Sequence, residues 1–126
     1  MSSKIRMQRL NRTIMKEISQ VISTEVKDPR LLSLISVVNV DLSPDMHNMK
    51  VEVSVYSRNE VHNIKSLEAL SNAAGFISSL VSKNLRLKHA PNIEFKRSHL
   101  IEDTARIQKA IKEMTGDDSV DESQDQ

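Results

Sequence analysis

Among the side chains of this sequence able to do chemistry, those that fall into patterns are cations. Arg9, Arg12 and Lys16 recur at steps of three and four, with no acid among them before Glu17. Lys83, Arg86 and Lys88 gather after the small-residue stretch Ala73-Ala74-Gly75, and Arg30 closes an Asp28-Pro29-Arg30 motif. Guanidinium and ammonium groups in register neutralise phosphates, so the chemistry they suggest is the holding of a polyanion. Each has a plainer explanation. A basic helix stripe is often a solvated face, and cations near the carboxyl end of a helix complement its dipole. Arg30 is equally a surface residue or a support for a neighbouring contact.

Bond-making chemistry finds no such pattern. Without Cys there is no thiolate metal site, cysteine nucleophile or disulfide frame. His47, His62, His89 and His99 lie in four segments, with no i, i+4 pair and no carboxylate partner pattern, and read as surface or loop residues. No serine stands at a recognisable spacing from a histidine and a carboxylate. Gly75 and Gly116 are the only glycines, which excludes a Gly-rich phosphate loop and a nucleophile elbow. No carboxylate pair can be nominated for general acid–base work. The chain does not read as an enzyme, and it implies no metal and no cofactor.

The charge is unevenly spread. From Thr115 to Gln126 there are five acids and no base, so a net +1 for the chain leaves +6 on residues 1–114. The expectation is one basic domain over 1–114 and an acidic, disordered tail over 115–126. Tyr56, Phe76 and Phe95 are the only aromatic rings besides histidine. That is too few for a base-stacking platform, so nucleic acid would be held by phosphate contacts, helix ends and shape. No apolar run is long enough to cross a membrane and no signal peptide opens the chain, which fits a cytoplasmic protein.

The elements that must position these cations follow from periodicity. Met7, Leu10, Ile14, Ile18 and Val21 predict a helix over 5–26, with Arg9, Arg12 and Lys16 roughly opposite the apolar stripe. Ser2, Ser3 and the basic, acid-poor start also fit a transit peptide, but the pattern runs unbroken into the next motif. Pro29 lacks an amide hydrogen and pushes Asp28 out of the α region, ending the helix. Leu34 to Leu42 predicts a strand, with Val38, Val40 and Leu42 on one face and an irregularity at Asn39. After the Ser43-Pro44-Asp45 turn, Met49, Val51, Val53 and Val55 alternate with polar residues as the second arm of a hairpin.

A polar connector is expected over 57–63, then a short helix carried by Ile64, Leu67 and Leu70. Phe76, Ile77, Leu80, Val81 and Leu85 carry a second, with Phe76 in the core. Ile93 and Phe95 face inward on a third strand, and Ala105, Ile107, Ile111 and Met114 suggest a closing helix. A glycine between two helices costs about 1 kcal/mol against alanine, and is tolerated where a kink or close backbone approach is wanted.

The order helix, strand, strand, kinked helix pair, strand is that of a type II KH-like α+β domain, a three-stranded sheet with helices on one face. Within it, Glu17-Ile18 through Glu25-Val26-Lys27-Asp28-Pro29-Arg30 resembles the amino-terminal signature of the ribosome-binding factor A family. So do Val40-Asp41-Leu42-Ser43, Asp45, Lys50-Val51-Glu52-Val53, Ala73-Ala74-Gly75-Phe76-Ile77, Leu85-Arg86-Leu87-Lys88, Pro91 and Phe95. The match spans roughly 4–114, and Ala73-Ala74-Gly75 looks like the family's Ala-x-Gly kink, which stands where KH domains usually carry a GxxG loop.

The resemblance implies a non-enzymatic assembly factor for the small (30S) ribosomal subunit. It would act late in maturation of the small-subunit ribosomal RNA, including its 5′ end, in a setting linked to growth in the cold. It would leave before translation. The implied partners are the subunit and its RNA, with ribosomal proteins and a release GTPase as further candidates, and the implied state is a monomer. RNA binding would fall on Arg9, Arg12, Lys16, Arg30, Ala73, Ala74, Gly75, Lys83, Arg86 and Lys88. Two positions depart from the family: Ser78 stands where a basic residue is common, and Ser98-His99-Leu100 replaces an Asp-x-Ser turn. The rival reading is a protein-interaction adaptor using the hairpin face or the acidic tail.

Overall fold

A computed structural model describes residues 3–98. Along that span the order is α1 (Ser3–Glu25), β1 (Leu34–Leu42), β2 (Asn48–Tyr56), α2 (Glu60–Asn72), α3 (Ala74–Leu85) and β3 (Asn92–Arg97). The closing helix over Ala105 to Met114 and the acidic tail lie outside the described residues.

The sheet has the order β1-β2-β3. β1 and β2 pair antiparallel, and β3 adds to β2 in parallel, from Asn48 opposite Asn92 to Val53 opposite Arg97. A parallel neighbour requires a crossover, and α2 with α3 supplies it. All three helices lie on one face. Ile14, Ile18 and Val21 of α1, Leu70 of α2 and Ile77 and Val81 of α3 close over Val40, Leu42, Met49, Val51, Val53, Val55 and Phe95. Burial of each such aliphatic side chain contributes about 1.5–3 kcal/mol. The opposite sheet face carries Asp41, Lys50, Tyr56, Glu94 and Lys96, all exposed.

Two local expectations are corrected. The register of β1 shifts between Val37 and Asn39, leaving Val38 without a partner. This bulge takes Val38 off the face shared by Val40 and Leu42, and Ile35 and Val37 pack inward before it instead. The irregularity predicted at Asn39 is real but sits one residue earlier.

The second correction concerns α2, which begins at Glu60 rather than after a connector ending at 63. Asn59 is the cap, its side chain accepting from the Val61 amide at 2.9 Å. The buried face of the first turns is polar: Asn63 and Ser66 are 2% and 0% exposed. Asn63 Oδ1 accepts from Ser33 and Ser57 hydroxyls at 2.6 and 2.9 Å, while Ser66 Oγ donates to the Arg30 carbonyl and accepts from the Leu32 and Ser33 amides. Ile64, expected to lead the apolar face, points outward at 50% exposure. Arg97 pins the helix start to the end of β3 through a two-pronged pair with Glu60.

Candidate nucleic-acid interface

Small residues build the kink. Helix α2 ends at Asn72, Ala73 is the junction at φ −89°, ψ 2°, and α3 starts at Ala74. The Ala73 amide bonds back to the Ala69 and Leu70 carbonyls at 3.0 and 3.1 Å, so the chain turns without leaving that donor unpaired. The first bond of α3 runs from the Ile77 amide to the Ala73 carbonyl at 2.9 Å. The amides of the first turn ahead of Ile77 are therefore the unpaired donors of a helix amino end, with its partial positive charge. A Cβ built on Gly75 meets nothing within 4 Å. The glycine thus relieves no internal clash, and an outside group can reach the backbone there.

Around the kink the charge is balanced. A hollow beside it is lined by Glu25, Val26, Lys27, Asp28, Ala69, Asn72, Ala73 and Phe76. Arg30, a sequence-predicted contact, is folded onto Asp28. Its Nη2 lies 3.0 Å from Oδ2 and its Nε 3.2 Å from Oδ1, while its own amide donates to Oδ1 at 2.9 Å. These bonds, the side-chain ones foremost, hold the Asp28 carboxyl below the usual carboxylate value and raise the Arg30 guanidinium. Asp28-Pro29-Arg30 is thus more than a helix stop: it is a closed turn, and its Arg30 carbonyl receives Ser66.

The far end of α3 is basic. Eleven steps of about 1.5 Å put Leu85 about 16 Å from Ala74. Lys83 sits in the last turn and Arg86 caps it in the left-handed conformation at φ 55°, ψ 44°. The Leu87 amide reaches back to the Ser82 carbonyl at 2.9 Å, a closure that usually has glycine at the capping position. Lys83, Arg86 and Lys88 are all exposed.

Helix α3 runs back along α1. Phe76 shares the hollow with Glu25, whereas Asn84 Nδ2 donates to Glu17 at 2.8 Å. Lys16, next to Glu17, is therefore level with the basic end of α3, and Arg12 and Arg9 lie further from the kink. All three are exposed, facing away from Ile14, Ile18 and Val21. The ten sequence-predicted positions thus fall into two groups. Ala73, Ala74, Gly75 and Arg30 cluster at the kink, while Arg9, Arg12, Lys16, Lys83, Arg86 and Lys88 occupy the other half of the α1–α3 layer.

One further expectation changes, and the two departures from the family gain a structural setting. Phe76, read as core, is 50% exposed and lines the hollow beside the kink together with Glu25 at the end of α1. Ser78 is not on the outer surface at all: it is 4% exposed and its hydroxyl donates to the Pro91 carbonyl, tying α3 to the start of β3. Of Ser98-His99-Leu100, Ser98 is buried and its amide extends the ladder to the Val53 carbonyl at 2.7 Å; the other two residues lie outside the described span. Glu25 and Lys27, part of the recognised signature but not named as contacts from sequence, also line the hollow at the kink. Sequence reasoning separated His47 from His89, whose rings stack with centroids 4.8 Å apart. The bond from the Asn92 amide to the His47 carbonyl brings their loops together.

Fold and site define a KH-like α+β domain in which a small-residue kink, rather than a glycine loop, joins the two central helices. The chain belongs to the ribosome-binding factor A family, whose profile matches residues 6–111. A relative of that name from Desulfitobacterium hafniense is 39% identical over 122 residues, 97% of this chain and 96% of that protein. The crystal structure of ribosome-binding factor A from Thermus thermophilus superposes with a TM-score of 0.61 at 26% identity, over 72% of this chain and 94% of the other. A homology model of the Thermus thermophilus factor, fitted into the map of a 30S complex, matches with a TM-score of 0.51 at 28% identity, covering 73% and 90%. Among the described residues no helix is long and apolar enough to cross a membrane.

Proposed function

We propose that this chain binds the free small (30S) ribosomal subunit as a cytoplasmic monomer. It assists late maturation of the subunit's RNA, including processing of the 5′ end, and takes no catalytic part. Growth in the cold is where its loss would tell most. The observation that carries this reading is the shared fold with the Thermus thermophilus factor placed in a 30S complex, with the kink intact. The exposed cations on α1 and at the end of α3 would meet RNA phosphates, and the free amides of α3 would meet one more. Release before translation, by a GTPase or otherwise, belongs to the same reading.

The test is gradient sedimentation of cell extract, probing for the chain across the gradient. It should track free small subunits and be absent from full ribosomes; appearance only with translating ribosomes contradicts an assembly role. A protein-adaptor reading draws on exposed Val61 and Ile64 on α2. Ribonuclease treatment separates the two, because a protein partner survives it.

A further inference from the structure

A phosphate-only kink leaves one feature unexplained: the hollow beside it presents acid. The Glu25 side chain forms no hydrogen bond or ion pair among the described residues, and a free carboxylate facing RNA repels its backbone. The same hollow is walled by apolar groups, Val26, Ala73 and the half-exposed ring of Phe76, and it also holds Asn72 and Lys27. The Asn72 and Lys27 side chains are, like that of Glu25, without a hydrogen-bond or ion-pair partner among the described residues. An aromatic wall, a free acceptor and free donors around one concavity suit a planar heterocycle better than a phosphate.

We propose that this hollow takes one unpaired guanine base of the RNA, stacked on Phe76 with its edge toward Glu25. The inference deepens the small-subunit reading and rests on it. A carboxylate offers acceptors only, so it matches a base edge with adjacent donors. Guanine has that edge in its N1–H and N2–H groups. Adenine and cytosine set a donor beside an acceptor, and uracil flanks its N3–H with two carbonyl oxygens. The Asn72 amide supplies a donor for O6, and Lys27 a cation for the same nucleotide's phosphate. Single-stranded RNA is commonly read in this way, by a ring against the base and hydrogen bonds to its Watson–Crick edge. The α3 amino end then receives the phosphate adjoining the captured base, and acid and base at the kink cease to conflict.

The test titrates the full chain with fluorescein-labelled pentaribonucleotides UUGUU, UUAUU and UUCUU, alongside co-sedimentation with purified small subunits. UUGUU should bind about tenfold tighter than the other two. Phe76→Ala should weaken UUGUU binding about tenfold, Phe76→Trp should restore it and Phe76→Leu should not. Glu25→Gln, which replaces one acceptor with a donor, should erase the preference for guanine. Because Phe76 and Glu25 are exposed, these variants keep the fold. Equal binding of all three pentamers, or full rescue by leucine, overturns the base site while subunit binding stands. A wild-type chain that fails to sediment with small subunits overturns the functional reading itself.

Discussion

The two ends of α3 would offer an RNA different things. At its amino end the residues are small, the backbone is open, and Lys27 and Arg30 are offset by Glu25 and Asp28. At its carboxyl end Lys83, Arg86 and Lys88 stand with Arg9, Arg12 and Lys16, and the neighbouring acid Glu17 is bonded to Asn84. A charge-balanced concavity would contribute position and selectivity; exposed cations would contribute affinity that salt can screen. If the proposed interface holds, the kink and the cations are separable parts, and mutations should affect them in different ways.

The largest expected effect is at the basic end. Arg9→Glu, Arg12→Glu and Lys16→Glu together should lower small-subunit affinity by at least about a hundredfold and flatten its salt dependence. The variant should fold, because all three side chains are exposed. Unchanged co-sedimentation of the folded triple variant removes the α1 stripe from the interface.

Next comes the kink. Gly75→Asp should weaken binding about tenfold with the salt slope almost unchanged, since it alters one close approach rather than the whole field. Gly75→Ala sharpens this further. Its new Cβ meets nothing in the protein, so thermal unfolding should show a gain of about 0.5–1 kcal/mol. Subunit affinity should nevertheless fall. A variant that gains in both shows that nothing docks against that backbone.

Arg86 offers a similar opposition at the other end. A non-glycine residue in the left-handed region costs about 1–2 kcal/mol, so Arg86→Gly should stabilise the fold by about 1 kcal/mol. It should also weaken binding severalfold and lower the salt slope by about one phosphate contact. Loss of stability instead would mean that the guanidinium supports the fold.

The smallest effect concerns the turn beside the kink. Because Arg30 holds the Asp28 carboxyl below its ordinary value, the stabilisation is fully present above the unfolded-state pKa, about 3.9. It is lost as pH falls through the lower folded-state value. Urea unfolding between pH 2 and 5 should therefore show a shallower acid loss for Asp28→Asn than for wild type. Identical profiles would mean that the pair has no net effect on stability.

Much of this was legible in the chain. The strand over Leu34–Leu42 and the helix pair broken at Ala73 are where alternation and spacing put them. What escaped follows from physics that periodicity does not register. The inner face of α2 is built from Asn63 and Ser66, polar groups buried because hydrogen bonds satisfy them, so no apolar signal marked the helix start. Phe76 looked like core because aromatic residues usually are; its exposure beside the kink is set by tertiary packing, which no local pattern states. The bulge at Val38 has the same character, since both valines are apolar and only the β2 register tells them apart. The cations were identified by type, but their division into two groups depends on the direction of α3 along α1.

The most direct test of the central claim is co-sedimentation of the full chain with purified small subunits across a salt series. Binding should decline steeply and linearly on a log–log plot, with the triple charge-reversed variant absent from the subunit peak at every salt concentration. Binding that is indifferent to salt, and retained by that variant, contradicts recognition through RNA phosphates.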